Sequence, residues 1–458
     1  MAGKGNAMAL ERGMGDPSLE GATLLFQMGP GAVVPWVYTD TADEISGYQT
    51  SAWIGTTLMM TPIYDVVGPD ACKLLQSVCV NDFSKLKYTG LRHAVLCNDK
   101  GQIITDGVVI RIAEDRYRTY WLAPALKFYV ETSDLDVHGE DISGQEYFIQ
   151  VQGEKSLEIL EDAFEVDLHD IKFAKHRLAN MQGHEVRVIR LGMSGNLAYE
   201  IHGPMADYDY VYRRVVESGK KFGAKRLGNR SYNLFNHTEA GFPNIALHYP
   251  LPYYESSAAM KAWFDENLMA GFGNNNRVLS GSSTDLQERF VTPYDLGWGF
   301  LVKFNHDFPG REALEKIAAN PVRTVTTLEW NPEDVAKVFA NNITPGTEKS
   351  DDITADSDFA VLKNVYTFTS DYHADEVYFE GKKVGISSGR IISHTYGSMI
   401  SLGFIAPEAV KEGNEVIVLW GTPGKKQFEI RAEVARYPYN GDFVRNEDRD
   451  VEDIPHRF

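Results

Sequence analysis

Two hydrophobic periods share this chain, and their balance changes near residue 320. Before that point, strand-like alternation and helix-like spacing interleave. A strand over Thr57–Val67 runs into Gly68-Pro69-Asp70, and a helix over Ala71–Val80 follows with Asp70 as its cap. His93–Leu96 and Gln102–Ile112 form a hairpin about Asp99-Lys100-Gly101. A strand over Tyr117–Leu122 stops at Ala123-Pro124, and a helix runs from Ala125 to Thr132. Phe148–Gly153 alternates as a strand, and Lys155–Phe164 continues as a helix. His184–Ile189 and Ala198–Ile201 are strands about the glycine-bearing turn Leu191–Asn196. Tyr208–Lys220 is a helix whose apolar face is Tyr208, Val211, Tyr212 and Val215. This interleaving predicts an α+β fold of split βαβ type.

Three stretches depart from regular periodicity. Residues 19–60 are rich in glycine and aromatic residues and predict a loop-rich entry with short strands. Gly241–Gln287 is irregular around a helix at Ser257–Asn267, and its many aromatic residues mark it as functional rather than disordered. Thr292–Leu314 predicts a turn, an aromatic strand through Trp298 and Phe304, a polar turn and a helix from Arg311. After a boundary at Ala318–Pro321, short strands dominate: Val325–Trp330, Glu376–Phe379, Lys383–Ser388, Ser398–Ile405, Asn414–Leu419 and Gln427–Ala435. With Gly381 and Gly413 at turns, they predict a small barrel-like domain over 321–458, interrupted by a charged insertion at Thr347–Asp358. The region 1–320 is then a separate body of two interleaved α+β subdomains.

Composition narrows the function. The 458 residues are 43% hydrophobic and 24% charged, as in an ordinary globular protein, and no apolar run reaches membrane length. The formal net charge of −19 argues against a nucleic-acid partner, which would need a basic stripe. Cys72, Cys79 and Cys97 lack zinc-site spacing and predict reduced core thiols, so no metal is expected. The N-terminus, MAGKGNAMALERGMGDPS, has no apolar secretory core, which predicts a polar lead-in and a cytoplasmic enzyme.

Four motifs in order carry a family resemblance: Phe148–Gly153; Arg190–Gly195 with Tyr199-Glu200-Ile201; Phe308–Leu314; and Val384–Gly389 with Ser398–Ile405. Together they resemble the folate-binding family of the glycine-cleavage T-protein. Val291–Leu314 and Val325–Ala340 are most similar to its bacterial tetrahydrofolate-dependent O-demethylases of vanillate and syringate type. The resemblance implies a cloverleaf of three domains around a central channel, with tetrahydrofolate as cofactor and a small-molecule methyl donor.

It also implies roles for residues. Glu200 stands where the family's glutamate accepts hydrogen bonds from the pterin, a task for two carboxylate oxygens. Gln152 is a second pterin candidate, or a strand-end amide in water. Arg230 meets the folate's glutamate tail or makes a structural ion pair, and Trp263 is a further cofactor-side candidate. Aminomethyltransferases carry an Asp-Asp pair where this chain has Thr105-Asp106, which favours methyl over aminomethyl transfer. Asp106 then lies near the folate nitrogen, or only caps the turn before Gly107. Removing a methyl group from an aryl ether requires alignment and a proton for the departing phenolate. Tyr249, Tyr253 and Tyr254 are the candidate donors, with framework packing as the alternative for each.

On the substrate side, Met59 or Met60 replaces the demethylases' histidine. Leu122, within Trp121-Leu122-Ala123-Pro124, replaces their carboxylate-binding arginine. A buried carboxylate without a cation is costly, so a less polar methoxyaromatic is expected, or one whose carboxylate lies elsewhere. Two other functions compete. Demethylation of a sulfonium or quaternary ammonium compound would use an aromatic cage, with Trp36, Trp53, Trp121, Tyr253, Tyr254 and Trp263 as candidates. A non-catalytic folate-binding accessory protein is the third reading, although the signature of such proteins is absent here.

Overall fold

A computed structural model describes residues 15–29, 32–245, 247–267, 277–355 and 370–458. The polar lead-in before residue 15, and parts of the 241–287 stretch and of the 347–358 insertion, lie outside the described residues. No helix of the described residues is long and apolar enough to cross a membrane.

Three sheets organise the chain. A five-stranded sheet has the order Leu91–Cys97, Ile103–Ala113, Arg116–Tyr120, Ile63–Val67, His138–Asp141. A six-stranded sheet has the order His176–Met181, His184–Ile189, Ala198–Pro204, Glu146–Gln152, Trp53–Gly55, Lys225–Leu227. The third is a closed barrel of six antiparallel strands: Ser370–Phe379, Lys382–Ser393, Ser398–Ile405, Thr324–Trp330, Phe428–Ala435 and Glu415–Trp420, the last pairing back to the first. Closure gives each of the six strands two neighbours. The expected α+β cloverleaf with its barrel is therefore present.

The chain crosses the expected boundary at 320 in both directions. Arg277–Ser280 adds a parallel strand to the barrel strand Ser370–Phe379. The C-terminal tail returns to the six-stranded sheet, where the buried Arg190 donates to the Asn446 and Arg449 carbonyls.

In the six-stranded sheet, the period of two decides what faces what. Tyr147, Ile149 and Val151, with Tyr199 and Ile201, point into the largest apolar core. Helices Ser156–Phe164 and Tyr208–Lys221 cover that face through Leu157, Ile159, Leu160, Val211, Tyr212 and Val215. Burying each such side chain contributes about 1.5–3 kcal/mol. The alternate residues Phe148, Gln150, Gln152, Ala198, Glu200 and His202 are left on the opposite face, and the polar ones there build the site.

Several expectations need correction. Residues 19–60 contain a helix, Thr41–Thr50, with Asp40 accepting from the Asp43 amide. Its scattered apolar positions hid it. Asp70 does not cap the helix Ala71–Val78, because its carboxylate accepts from the Asp136 amide instead. The strand expected through Trp298 is absent. The Thr292 amide donates to Asp295 and the Trp298 amide to the Pro293 carbonyl, which folds the run into turns and one 3-10 turn at Gly299–Leu301. The barrel also carries an unexpected helix, Pro332–Ile343, capped by Asn331.

Candidate active site

The site has two polar ends joined by a wall of rings. At the first end the strand register sets Glu200 directly opposite Gln150, which in turn pairs with Gly55 on the next strand. Glu200 is 5% exposed, and burial pushes its carboxyl up to about 8. The Gln150 amide lies near enough to favour the charged form, yet neither its nitrogen nor its oxygen completes a well-formed hydrogen bond. The Tyr232 hydroxyl and both amide atoms of Asn236, from the helix Asn229–Phe235 and its cap, are likewise buried and complete no well-formed hydrogen bond, although Tyr232 lies near both Asn236 and Gln150. Burial raises the Tyr232 phenol, with the Glu200 charge adding to it.

Each unpaired buried polar atom costs about 1–3 kcal/mol, so this many in one place mark a position made for a polar ligand. Carboxylate and amide oxygens accept there, while amide nitrogens and a phenol donate. The set suits a flat heterocycle with a mixed donor and acceptor edge.

Gln152 has a different duty from the one expected. Its Oε1 accepts from the Ser194 amide at 3.1 Å, and only its Nε2 is unpaired. It pins the Leu191–Asn196 turn against the strand, where a Cβ on Gly192 would strike Ala198 and the Gln152 amide. The better-placed amide is Gln150, two residues earlier on the same face. The alternation of Phe148–Gln152 held that signal, since both glutamines share a face.

The second end is on the five-stranded sheet. Asp106 lies mid-strand in Ile103–Ala113, so it caps no turn. One carboxylate oxygen meets His93 Nε2 at 2.9 Å, and the other accepts the Tyr249 hydroxyl at 3.1 Å. Gly107 is needed beside it, because a Cβ there would collide with the Tyr120 carbonyl oxygen. Tyr249 is fully buried, and burial, then the Asp106 charge, raises its phenol well above the ordinary value. It therefore holds its proton.

Among the other tyrosines, Tyr253 is buried, stacks on Phe264 and lies near Thr105, whose own hydroxyl donates to the Trp121 carbonyl. Tyr254 meets Phe264 edge-on and carries the Lys261 ammonium over its ring.

Between the ends runs a line of rings. Trp53 meets Tyr232 edge-on, Tyr232 meets His237, and His237 meets Phe242. Phe242 then packs on His93 and Trp298, and Trp298 stands edge-on to His93 at 4.6 Å. His237 is buried and held neutral, its pKa lowered to about 4 by burial. Trp298, expected within a strand, thus touches the residue that holds Asp106.

The remaining candidates are dispersed. Met59 is buried and its sulfur accepts from the Phe148 amide, while Met60 is half-buried in the same 3-10 turn. Leu122 is fully buried beside Gly107 and Leu126 in the second apolar core. Trp121 takes a left-handed backbone conformation, φ 67°, with its side chain half-buried. Arg230 is half-buried in the first turn of its helix. Trp263 donates its indole N–H to Glu131 and packs on Phe128, a structural contact beneath the helix Ala125–Glu131. Sequence reasoning missed Gln150, Tyr232, Asn236, His93, His237 and Trp298.

Residues 29–246 match the family model described as the GCVT N-terminal domain. The chain is 49% identical over 425 residues to a sesamin methylene transferase of Sinomonas sp., covering 92% of this chain and 93% of that protein. It is 30% identical over 440 residues to a syringate O-demethylase of Sphingobium sp., covering 89% and 91%. In fold it is similar to the crystal structure of the glycine cleavage system aminomethyltransferase T from Bartonella henselae, with a TM-score of 0.63 at 15% identity over 94% of this chain and 96% of that one. The chain belongs to the GCVT family and is an enzyme of that family's folate-dependent methyltransferase kind.

Proposed function

We propose that this enzyme removes an ether carbon from an aromatic substrate and transfers it to tetrahydrofolate. The observation that carries the reading is the buried, under-partnered Glu200–Gln150–Tyr232–Asn236 cluster, joined by one aromatic wall to the Asp106–Tyr249 pair. The donor set of the cluster fits the pterin of folate: Glu200 and the amide oxygens would accept from its amine and ring N–H groups, and the amide nitrogens would donate to its carbonyl and ring nitrogens. Tetrahydrofolate supplies the nucleophilic nitrogen that takes up the carbon.

The protein's own part is at the aryl oxygen. Tyr249 keeps its phenolic proton because it is buried beside a carboxylate, and it delivers that proton to the oxygen as the carbon–oxygen bond breaks. Asp106, held by His93, accepts the Tyr249 hydroxyl and so holds the donor in place, and the proton released by the attacking nitrogen restores the phenol after transfer. The proton lost from the attacking nitrogen balances the one gained by the phenol, so no oxidant or reductant is required.

Two ether types satisfy this balance. A methoxyaromatic gives a phenol and 5-methyltetrahydrofolate. A methylenedioxy ring gives a catechol and 5,10-methylenetetrahydrofolate, with two carbon–oxygen bonds broken, two folate nitrogens each giving up a proton and the two catechol oxygens each gaining one. The second is favoured by the relative named for sesamin, whose rings carry methylenedioxy bridges, at 49% identity against 30% for the relative named for syringate. Sesamin also lacks a carboxylate, which agrees with Leu122 at the position of the demethylases' carboxylate-binding arginine, beside Met59 or Met60 at that of their histidine.

Dispersal of the aromatic side chains weighs against a sulfonium or ammonium donor. Trp36 packs on Phe26, Trp53 on Tyr232, and Trp263, Tyr253 and Tyr254 around Phe264, whereas a cation cage needs converging faces.

The test is incubation with tetrahydrofolate and, separately, sesamin, neutral methoxybenzenes, syringate and a sulfonium compound, with the one-carbon folate product identified by mass. Methylene- or methyltetrahydrofolate formed with an equivalent of catechol or phenol supports the proposal. Folate binding without product from any ether would turn the reading to an accessory protein.

A further inference from the structure

His202 lies two residues beyond Glu200 on the same face of the strand Ala198–Pro204, with no part in the chemistry at the aryl oxygen. It is buried, its ring held at 4.0 Å from Phe148 and edge-on to Tyr120. Nδ1 is 2.9 Å from the Tyr120 hydroxyl. Nε2 is buried without a hydrogen-bond partner and faces Glu200 Oε2 at 3.9 Å.

The two neutral tautomers are not equivalent here. A proton on Nδ1 would leave the Nε2 lone pair turned toward a carboxylate oxygen. A proton on Nε2 lets the Tyr120 hydroxyl donate to Nδ1 and aims an N–H at Glu200. The surroundings keep the ring neutral: burial, then the nearby Arg187, Arg118 and His176, lower its pKa well below the ordinary value. Tyr120 belongs to the five-stranded sheet and His202 to the six-stranded one, so the contact also ties the two sheets together behind the site.

We propose that Tyr120 and His202 are positioning residues which favour the charged form of Glu200 against its burial and aim it for the folate pterin, His202 by turning an Nε2–H toward the carboxylate and Tyr120 by selecting that tautomer. The inference rests on Glu200 being the pterin's acceptor. It predicts that removing the donor weakens folate binding and moves the acid limb of binding to higher pH, because an unsupported carboxyl protonates more readily. The groups facing this pair are Glu200 and Tyr232 on one side and Arg118, Arg187, His176, Glu146 and Asp65 on the other.

The experiment titrates tetrahydrofolate into the full-length protein by tryptophan fluorescence between pH 6 and 9. His202→Leu is expected to lose about tenfold in affinity with its binding midpoint shifted upward by at least half a pH unit. His202→Gln, which keeps an N–H within reach, recovers most of the affinity. Tyr120→Phe keeps the packed ring and tests the tautomer without risk to the fold, with an expected loss of about threefold. Nitrogen NMR of labelled histidine reads the Nε2–H tautomer directly in the wild type. Wild-type affinity and an unshifted midpoint in both His202→Leu and Tyr120→Phe overturn the inference, as does an Nδ1–H tautomer. If Glu200→Gln binds tetrahydrofolate like the wild type, the reading of the site itself fails and this inference falls with it.

Discussion

Glu44 and Glu200 are both almost fully buried glutamates, and their surroundings differ completely. Glu44 accepts from the Tyr38, Thr39 and Gly228 amides and from the Ser231 hydroxyl, so every lone pair direction is used. Glu200 has one imperfect amide neighbour and a histidine at 3.9 Å. The first carboxylate ties the helix Thr41–Thr50 to the chain segments around it. The second is kept short of partners at a cost to stability that a ligand can offset. Burial alone therefore does not distinguish structure from function, whereas satisfaction of the buried charge does.

Removing the satisfied member should cost most. Glu44→Ala leaves four donors facing an empty space, at about 1–3 kcal/mol for each that finds no water. A loss on the order of 4 kcal/mol in unfolding free energy is expected from urea titration, with little change in the affinity of whatever remains folded. A loss below about 1 kcal/mol would mean that water replaces the carboxylate and that the two glutamates differ less than their partners suggest.

Next in size is Tyr249→Phe, which leaves the packing and removes the proton. We expect kcat to fall by about 10²–10³-fold, with folate affinity unchanged. An equal loss from Tyr253→Phe would show that the tyrosine beside Thr105 shares the role, and an unaffected kcat in Tyr249→Phe would remove Tyr249 from the chemistry.

Glu200→Gln probes the unsatisfied member. Folate affinity should drop by about 10²-fold, as expected for loss of charge-assisted bonds, while stability should rise. The sign follows from linkage. The carboxyl titrates near 8 in the folded protein, against an ordinary value of 4.5, so between those values the folded state holds a proton that the unfolded state has lost. The contribution of Glu200 to stability is therefore full below about pH 4.5 and is lost as pH rises through 8. The variant should match the wild type near pH 5 and exceed it at pH 9 by a few kcal/mol, since each tenfold change in a protonation equilibrium is worth roughly 1.4 kcal/mol. Thermal melts at the two pH values give the answer, and a variant less stable at pH 9 would contradict burial as the force that raises this carboxyl.

Much of this was legible in the sequence, and the exceptions share one physical origin. The strand Glu146–Gln152, the hairpin that carries Asp106 and the six barrel strands all follow from period-two patterns with glycine at the turns. Glu200 and Asp106 stood out because motif and chemistry coincide there. Gln150, His93, Tyr232 and His202 did not, because their roles depend on which residue lies across a ladder or between sheets, and local pattern does not encode that partner. Thr292–Leu314 misled for the reverse reason: its apolar run has strand composition, but Asp295 and Pro293 close turns that no ladder could accommodate.

The finest distinction lies between the two glutamines that a sequence pattern treats alike. Gln150 and Gln152 sit on one face of one strand, yet Gln152 uses its oxygen to hold the Ser194 amide, whereas neither amide atom of Gln150 completes a hydrogen bond. Substitution by leucine should therefore divide their effects. Gln150→Leu should weaken tetrahydrofolate binding by about tenfold and leave the urea midpoint unchanged or slightly raised, since it removes unpaired buried polar atoms. Gln152→Leu should lower stability by about 1 kcal/mol through the orphaned Ser194 amide and weaken folate binding less. If the two variants instead lose affinity equally at equal stability, both amides serve the ligand, and the Leu191–Asn196 turn is held by something other than Gln152.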